Sequence, residues 1–567
     1  MAECDREPRQ RVSLVEPGKL GAMSPFEARA VATARSSDWS ASFHKAAGRV
    51  NAGPAASVPR KVSVEGLVTR SEDEAASGVA LMQPSTVDLA TFPHLLHEMD
   101  ESAEAADING TSPTMTVRAG KPSIFKPDNA LPLDGRAVEY LRASHALDIP
   151  SPSYLNESIK AYFAYVHPLL PVVDKSSFLR EFEAWDQEHE PLPEAISLFL
   201  LQAMVFAAST FVPTEALRNA GYSSRKEARQ LLFRKARLLY DFDHEPKRVA
   251  VLQGVLLMAN YFHSLDDRKN TWHWVGIAVD LALTLRLHRD PLHNPDFTRY
   301  QSGMRKRLWW SCVVRDRLAS LGVGRPPRIL SQFTDVSALT LDDFEESGER
   351  VRSEGEQRLE RLFVALTELC RASEPVWLFH FSMTRPRATP AQVAELSSKL
   401  EEWYQHLPPD ILSEPSFVNI ASDAERQFVL HRNVLMQNYQ SIIVTLNQPH
   451  ILRVEREADS ALQQAQHASR MRLMQSVIGI SHLAAQLVNL DLVRFCPTST
   501  VICLLTALAF HFSELRAADL LESHNVHLNR FDICLMALRG LRDSYWAPER
   551  YVAAFENAFN ELLASGI

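Results

Sequence analysis

From about residue 150 the chain runs in segments of helical length, each wholly apolar or carrying one apolar stripe, and each closed off by Pro, Asn, Asp or Ser. Apolar residues three and four apart bury one face of a helix, so this punctuation constrains the fold more than any other feature of the sequence. Glycine agrees. Only 20 of 567 residues are Gly, about half the usual ~7%, which leaves few positions for tight hairpins or phosphate-cradling loops. The expected fold class is all-α, one large multi-helix body over residues 135–567.

Individual helices follow from local signals. Ser224 with Glu227 three residues on matches a capping box, and Ala228, Leu232, Ala236 and Leu239 then share a face, predicting a helix over about 225–240. Pro193 is placed to open a helix at its first turn, with Ile196–Val212 apolar all round as in a helix enclosed by others. Pro246 similarly precedes the run ending at Phe262. Trp274, Ile277, Ala278, Leu281 and Leu285 predict a helix ending near His288, before Pro291. Arg305–Ser320 reads as another, stopped by Gly322, Gly324, Pro326 and Pro327. Acidic residues from Asp342 to Glu356 predict an exposed loop. Further periodic stretches lie around Val393–Trp403, Phe428–Leu446, Met471–Val488 and Thr500–Leu515, and no fixed repeat joins them.

Residues 1 to about 130 have a different character: Ala, Ser, Pro, Gly and charges without a sustained period, the composition of a mostly disordered tail. One island, Val87 to Glu101, interleaves acids with large apolar residues. It has two readings, a short helix docking on its own globular body or an interaction helix that folds into a partner's groove. His94, His97 and Glu98 within it are too few to hold a metal.

Charge and cysteine usage exclude several classes. With 60 Lys and Arg against 69 Asp and Glu, the formal charge is −9, so no uniform basic field draws the chain onto nucleic acid. Six scattered cysteines form no disulfide scaffold, and the N-terminus shows no secretory pattern, pointing to a reducing intracellular compartment. The apolar stretch Val249–Phe262, broken by Gln253 and Asn260, is too short to cross a membrane. Motifs for catalysis, metal binding and nucleotide binding are absent, so the expectation is no enzyme, no catalytic, metal or DNA-binding residues and no cofactor in this chain. Cys496 and Cys503, seven apart, lack the further ligands zinc needs and read as buried structural thiols. His263, His273 and His288 flank the Trp274 helix and read as core or surface histidines.

Three segments stand out. The first runs from Tyr162 through His167, Pro168 and Pro171 to Phe178; Pro168 disfavours helical geometry at His167, and Asp174 can cap the next helix. The second, Trp272 to Asp290, includes Trp274, Gly276, Ala278, His288 and Arg289, with Gly276 and Ala278 small enough for another helix to approach closely. The third, Arg305 to Pro327, carries Trp309 and Trp310 about 100° apart on a helix, so that they bury two faces. Its Arg315, Asp316 and Arg317 can pair charges with neighbouring helices, and Gly324, Arg325 and Pro326 form a rigid turn. Arg325 either satisfies helix-terminal carbonyls or recognises an acidic ligand or partner.

Together these segments resemble the fungal-specific transcription factor domain, the middle homology region of fungal zinc-cluster regulators. The family's Tyr-Phe…His-Pro…Pro-Val pattern matches Tyr162–Pro171, its Trp…Gly-x-Ala…Leu-x-Leu-His-Arg-Asp helix matches Trp274–Asp290, and its Arg-Leu-Trp-Trp…Arg-Asp-Arg…Gly-Arg-Pro stretch matches Lys306–Pro326. Trp403–Pro408 and His431–Pro449 look like later family elements, and Tyr140–Pro150 is similar to the cutinase-regulator branch. The resemblance covers about 135–540 and implies an all-α regulatory domain. The family's DNA reader needs six thiolates in two C-x2-C-x6-C arrays holding two zinc ions, whereas only Cys4 precedes residue 312 here. The chain is therefore expected to be a nuclear transcriptional regulator or co-regulator of a metabolic gene set. Its expected partners are other transcription factors or co-activators, a homo- or heterodimeric mate and a small-molecule effector; DNA is contacted only indirectly and no membrane is involved. The alternative is a small-molecule-sensing helical module in which Trp, His and Arg side chains line an apolar pocket.

Overall fold

The computed structural model describes residues 134–564, apart from 263–268, 296, 347–350, 382–388, 415–421, 452–459 and 518–520. The tail, the island at 87–101 and His263 lie outside the described residues, which all fall within the compact unit Thr86–Ile567. No strand occurs among the described residues. In chain order the helices are α1 (Gly135–Ala143), α2 (Pro152–Ala161), α3 (Lys175–Ala184), α4 (Leu198–Ala208), α5 (Thr214–Asn219), α6 (Arg225–Asp241), α7 (Arg248–Met258), α8 (Thr271–Thr284) and α9 (Arg299–Val323). They continue as α10 (Glu354–Ala372), α11 (Glu374–His380), α12 (Pro390–Gln405), α13 (Pro409–Leu412), α14 (Asp423–Ile451), α15 (Ser460–Asn489), α16 (Thr498–Ala517), α17 (Leu521–Gly540) and α18 (Ala547–Ala564).

Capping explains most boundaries. The Ser224 hydroxyl accepts from Glu227 N, while the Glu227 carboxylate reaches one residue further back, to Ser223 N at 2.7 Å. Asp174 caps α3 as expected, accepting from Ser177 N at 2.7 Å. Pro193 does not open α4: residues 193–196 make a turn, and the helix begins after Ser197, whose hydroxyl can accept the Leu200 amide at 3.1 Å. The run after Pro246 is helical only as far as Met258. The Trp274 helix also stops short of His288, at Thr284. Arg286 turns left-handed at φ 55°, and the Leu287 and Arg286 amides bond back to Ala282 and Leu283. Helix α9 outruns its sequence reading because Thr298 and Gln301 form a full capping box, and Gly324 closes it at φ 62°.

The acidic stretch from Asp342 is not a free loop. Asp343 pairs with the buried Lys306 at 2.7 Å, and Glu346 accepts from the Lys175 and Ser176 amides at 2.9 Å each. A buried ammonium needs a nearby counter-charge, and this segment folds back over α9 to supply it.

Two apolar clusters form the interior. One gathers α2 through α12 with Phe428, Leu435, Met436 and Tyr439 of α14. The other gathers α15 to α18 with Val429, Leu430 and Val444 of the same helix. Helix α14 is thus a wall shared by both. Helix α16 is apolar and long enough to span a bilayer, but Val501, Leu504, Ala507 and Leu508 are buried in the second cluster, as in a core helix.

Candidate functional site

The motif residues of α8 and α9 converge on one extended stretch, residues 324–340, and fasten it to the helices. Gly324 reverses the chain; the Asp316 carboxylate, fully buried, then accepts from the Arg328 and Ile329 amides at 2.8 and 2.9 Å. Arg317 donates to Ile329 O and to Glu374, both at 2.7 Å, and Glu374 in turn accepts from Ser331 N. The Trp310 indole donates to Ser337 O at 3.0 Å. In the turn that follows α8, the His288 carbonyl accepts from Thr334 and Asp335, and Arg289 pairs with Asp335 at 3.5 Å. Burial raises the Asp316 carboxyl above the usual carboxylate range even though these donors and Arg317 pull it down.

Trp274 and Trp309 are buried, and Trp309 lies 6.2 Å from the His288 ring. Gly276 does not admit a helix. A Cβ there would meet the Arg328 guanidinium at 3.2 Å, which stacks on Trp272 at 3.6 Å and donates to its carbonyl. Arg325 is exposed, 6.0 Å from the Trp272 ring, and Pro326 is exposed beside it; the caps on the turn come from Asp316 and Arg317.

His167 and Pro168 stand apart from this network. Contrary to the sequence reading, His167 is right-handed helical, at φ −55° and ψ −39°. A widened π turn at Tyr162–Val166 runs straight into the 3-10 turn His167–Leu169 and accommodates the proline. Pro168 has no amide hydrogen to give the Ala164 carbonyl four residues back, and His431 of α14 supplies one from Nε2 at 3.0 Å. Beside His167 lies an outer cleft with Lys175, Glu346, Arg352, Glu356 and Glu360. Burial, with Arg307 and Lys175 nearby, holds His167 well below the usual imidazole range, and burial pushes Glu360 up to about 7 despite its 2.7 Å pair with Arg352. The cleft's three carboxylates are thus engaged by cations or backbone amides.

A second, inner chamber lies where α4, α6, α9, α10, α14 and α16 meet. Arg229, Arg315, Asn438, Tyr545 and the first residues of α16, Thr498 and Ser499, line it together with an apolar wall. Arg315, expected to pair charges, faces no carboxylate; it donates to Ala259 O at 2.6 Å. Arg229, 1% exposed, donates to Asn260 O at 3.1 Å. Sequence reasoning passed over Arg229, although its spacing from Leu232 and Ala236 places it on the buried face of α6. Among the described residues no cluster of three or more His, Cys, Asp or Glu is placed to hold a metal. Cys496 and Cys503 are buried free thiols, each pushed up to about 12 by burial.

The family model described as the fungal specific transcription factor domain matches residues 159–405. Cutinase transcription factor 1 beta of Fusarium vanettenii is 32% identical over 74% of this chain and 51% of its own length. The acetamidase regulatory protein of Aspergillus oryzae is 28% identical over 71% of this chain and 48% of its own length. Transcription factor cpaR of Aspergillus oryzae is 27% identical over 75% of this chain and 74% of its own length. The chain spans about half the length of the first two relatives.

Proposed function

The chain carries a fungal specific transcription factor domain, and from that premise we propose that it is a nuclear transcriptional regulator or co-regulator of a metabolic gene set, acting through its helical body. The observation that carries this reading is the likeness, over 71–75% of the chain, to proteins named as a cutinase transcription factor, an acetamidase regulator and a transcription factor. The geometry agrees with it. The motif side chains around residues 324–340 are consumed in positioning a segment, which suits a body that is bound and moved. Its partners are other transcription factors or co-activators, and its DNA contact is made through them or through a part of the protein beyond this body, since a charge of −9 supplies no field for duplex.

Chromatin immunoprecipitation of the tagged protein, set beside gel shifts of the purified chain, tests both statements. Promoter occupancy without duplex binding by the purified chain is the expected pair of results. Absence from the nucleus overturns the regulatory reading, and sequence-specific binding by the purified chain overturns indirect contact.

A further inference from the structure

Some buried or half-buried cations in this molecule are answered by carboxylates, as Lys306 is by Asp343, Arg317 by Glu374 and Arg352 by Glu360, while others, such as Arg305 and Arg432, are held by carbonyl oxygens. Arg229 and Arg315 belong to the second group, and both line the inner chamber. Each spends one hydrogen bond on a carbonyl at the C-terminal end of α7, Asn260 and Ala259 respectively, and each keeps a buried Nε without a partner. No Asp or Glu lines the chamber that both side chains face. Burial lowers both guanidinium groups, Arg315 to about 10, and the group opposing that shift at Arg315 is the Tyr545 phenol. Both remain cations at neutral pH. The Phe206 and Tyr545 rings, 5.4 and 5.2 Å from the Arg229 guanidinium, and the carbonyls at the end of α7 offset part of the cost of burying these charges, and a bound anion offsets more.

A third donor set points the same way. Pro497, Thr498 and Ser499 bring the N-terminus of the 20-residue helix α16 to the chamber, where first-turn amides have no intrahelical acceptor and the helix dipole favours negative charge. Asn260, Asn438 and Tyr545 add polar groups, and most of the remaining lining is apolar, among it Leu170, Phe211, Leu318 and Leu366. The cavity volume is about 50 Å³, several times the roughly 10–15 Å³ that one water takes up on the same measure. A benzene ring occupies a cavity of about 150 Å³, so the room suits a carboxylate with a short aliphatic body of a few carbons.

We propose that this chamber binds a small organic carboxylate, its head held by Arg229, Arg315 and the first turn of α16 and its apolar body set against Leu170, Phe211 and Leu366. Planar guanidinium groups match a carboxylate in geometry as well as charge. The inference rests on the regulatory reading above, in which the carboxylate is the effector of the helical body.

The test uses the purified full chain at constant ionic strength and neutral pH, with propionate, butyrate, butyramide and inorganic phosphate as probes. A ligand that binds the folded state raises Tm by mass action, so propionate or butyrate is expected to raise it with concentration while neutral butyramide does not. Arg229→Gln and Arg315→Gln are expected to weaken apparent carboxylate affinity at least tenfold. Arg315→Lys, which keeps the charge, gives an intermediate loss, and circular dichroism verifies that each variant remains helical. No shift with either carboxylate overturns the proposal, as does a response to phosphate alone, an equal response to butyramide, or full carboxylate affinity in both glutamine variants. Promoter occupancy measured separately distinguishes the two readings: a thermally silent protein that still occupies promoters sinks the ligand alone, and binding without occupancy sinks the regulatory reading.

Discussion

At Pro168 the chain gives up an amide hydrogen, and a histidine 267 residues beyond Ala164 restores the missing bond. His431 is 1% exposed, and burial lowers it to about 4 although its bond to Ala164 opposes the shift. The unfolded chain takes up this proton near 6.5, so the histidine's contribution is present above about pH 6.5 and is lost as pH falls towards 4. Urea melts of wild type and His431→Gln, whose amide can still donate, are expected to converge by on the order of 2–3 kcal/mol between pH 7 and pH 4.5; parallel curves would sink the assignment. Glu360 carries the opposite sign. Its folded value of about 7 lies above the unfolded 4.5, so its contribution is present below about 4.5 and is lost as pH rises through 7. Glu360→Gln is expected to gain on the order of 1–3 kcal/mol relative to wild type between pH 5.5 and pH 8.5, measured by the same melts. Spacing alone showed that Pro168 was unusual and placed the disturbance at His167. It carried no sign of the π turn that absorbs the proline, nor of the distant histidine, because both depend on where α14 passes.

Among the elements, the stretch 324–340 is regular in its fastening although its one helical turn is the short 3-10 turn Ser331–Phe333. Asp316 anchors its start through two backbone amides, and Arg325 makes only a long approach to the Trp272 ring. Asp316→Asn removes the carboxylate that accepts from the Arg328 and Ile329 amides and lies 3.6 Å from Arg317, which keeps Glu374, and it is expected to cost about 2–4 kcal/mol. Arg325→Ala is expected to cost under about 1 kcal/mol. Denaturant melts that reverse this order would show that the turn is held from Arg325. The sequence located the turn, because Gly324 and the prolines are local punctuation, and it recognised Asp316 and Arg317 as charges in need of partners. It could not name Glu374 or the Ile329 amide, and it gave Arg315 a charge partner that the fold does not provide. Helix existence was legible from periodicity and caps; the ends at Ser197 and Thr284 turned on which side chain accepts an amide and which non-glycine residue takes a left-handed φ.

The inner chamber was illegible in the sequence for a simple physical reason: its lining runs from Tyr165 to Tyr545, and no local pattern joins residues that far apart. What joins them is α14. Its Leu435 and Tyr439 enter one apolar cluster, its Leu430 and Val444 enter the other, and Val434, buried yet in neither, lines the chamber instead. A helix that closes both cores ties their stabilities together, since losing it exposes apolar surface on each side. Leu435→Ala removes packing from the first cluster only and is expected to cost about 2–5 kcal/mol. If α14 couples the cores, native-state hydrogen exchange in this variant loses protection in α6, which packs in the first cluster, and also in α17, which packs in the second. Loss confined to α6 would mean that the cores open independently, and that a ligand in the chamber between them could not pass its binding energy from one to the other.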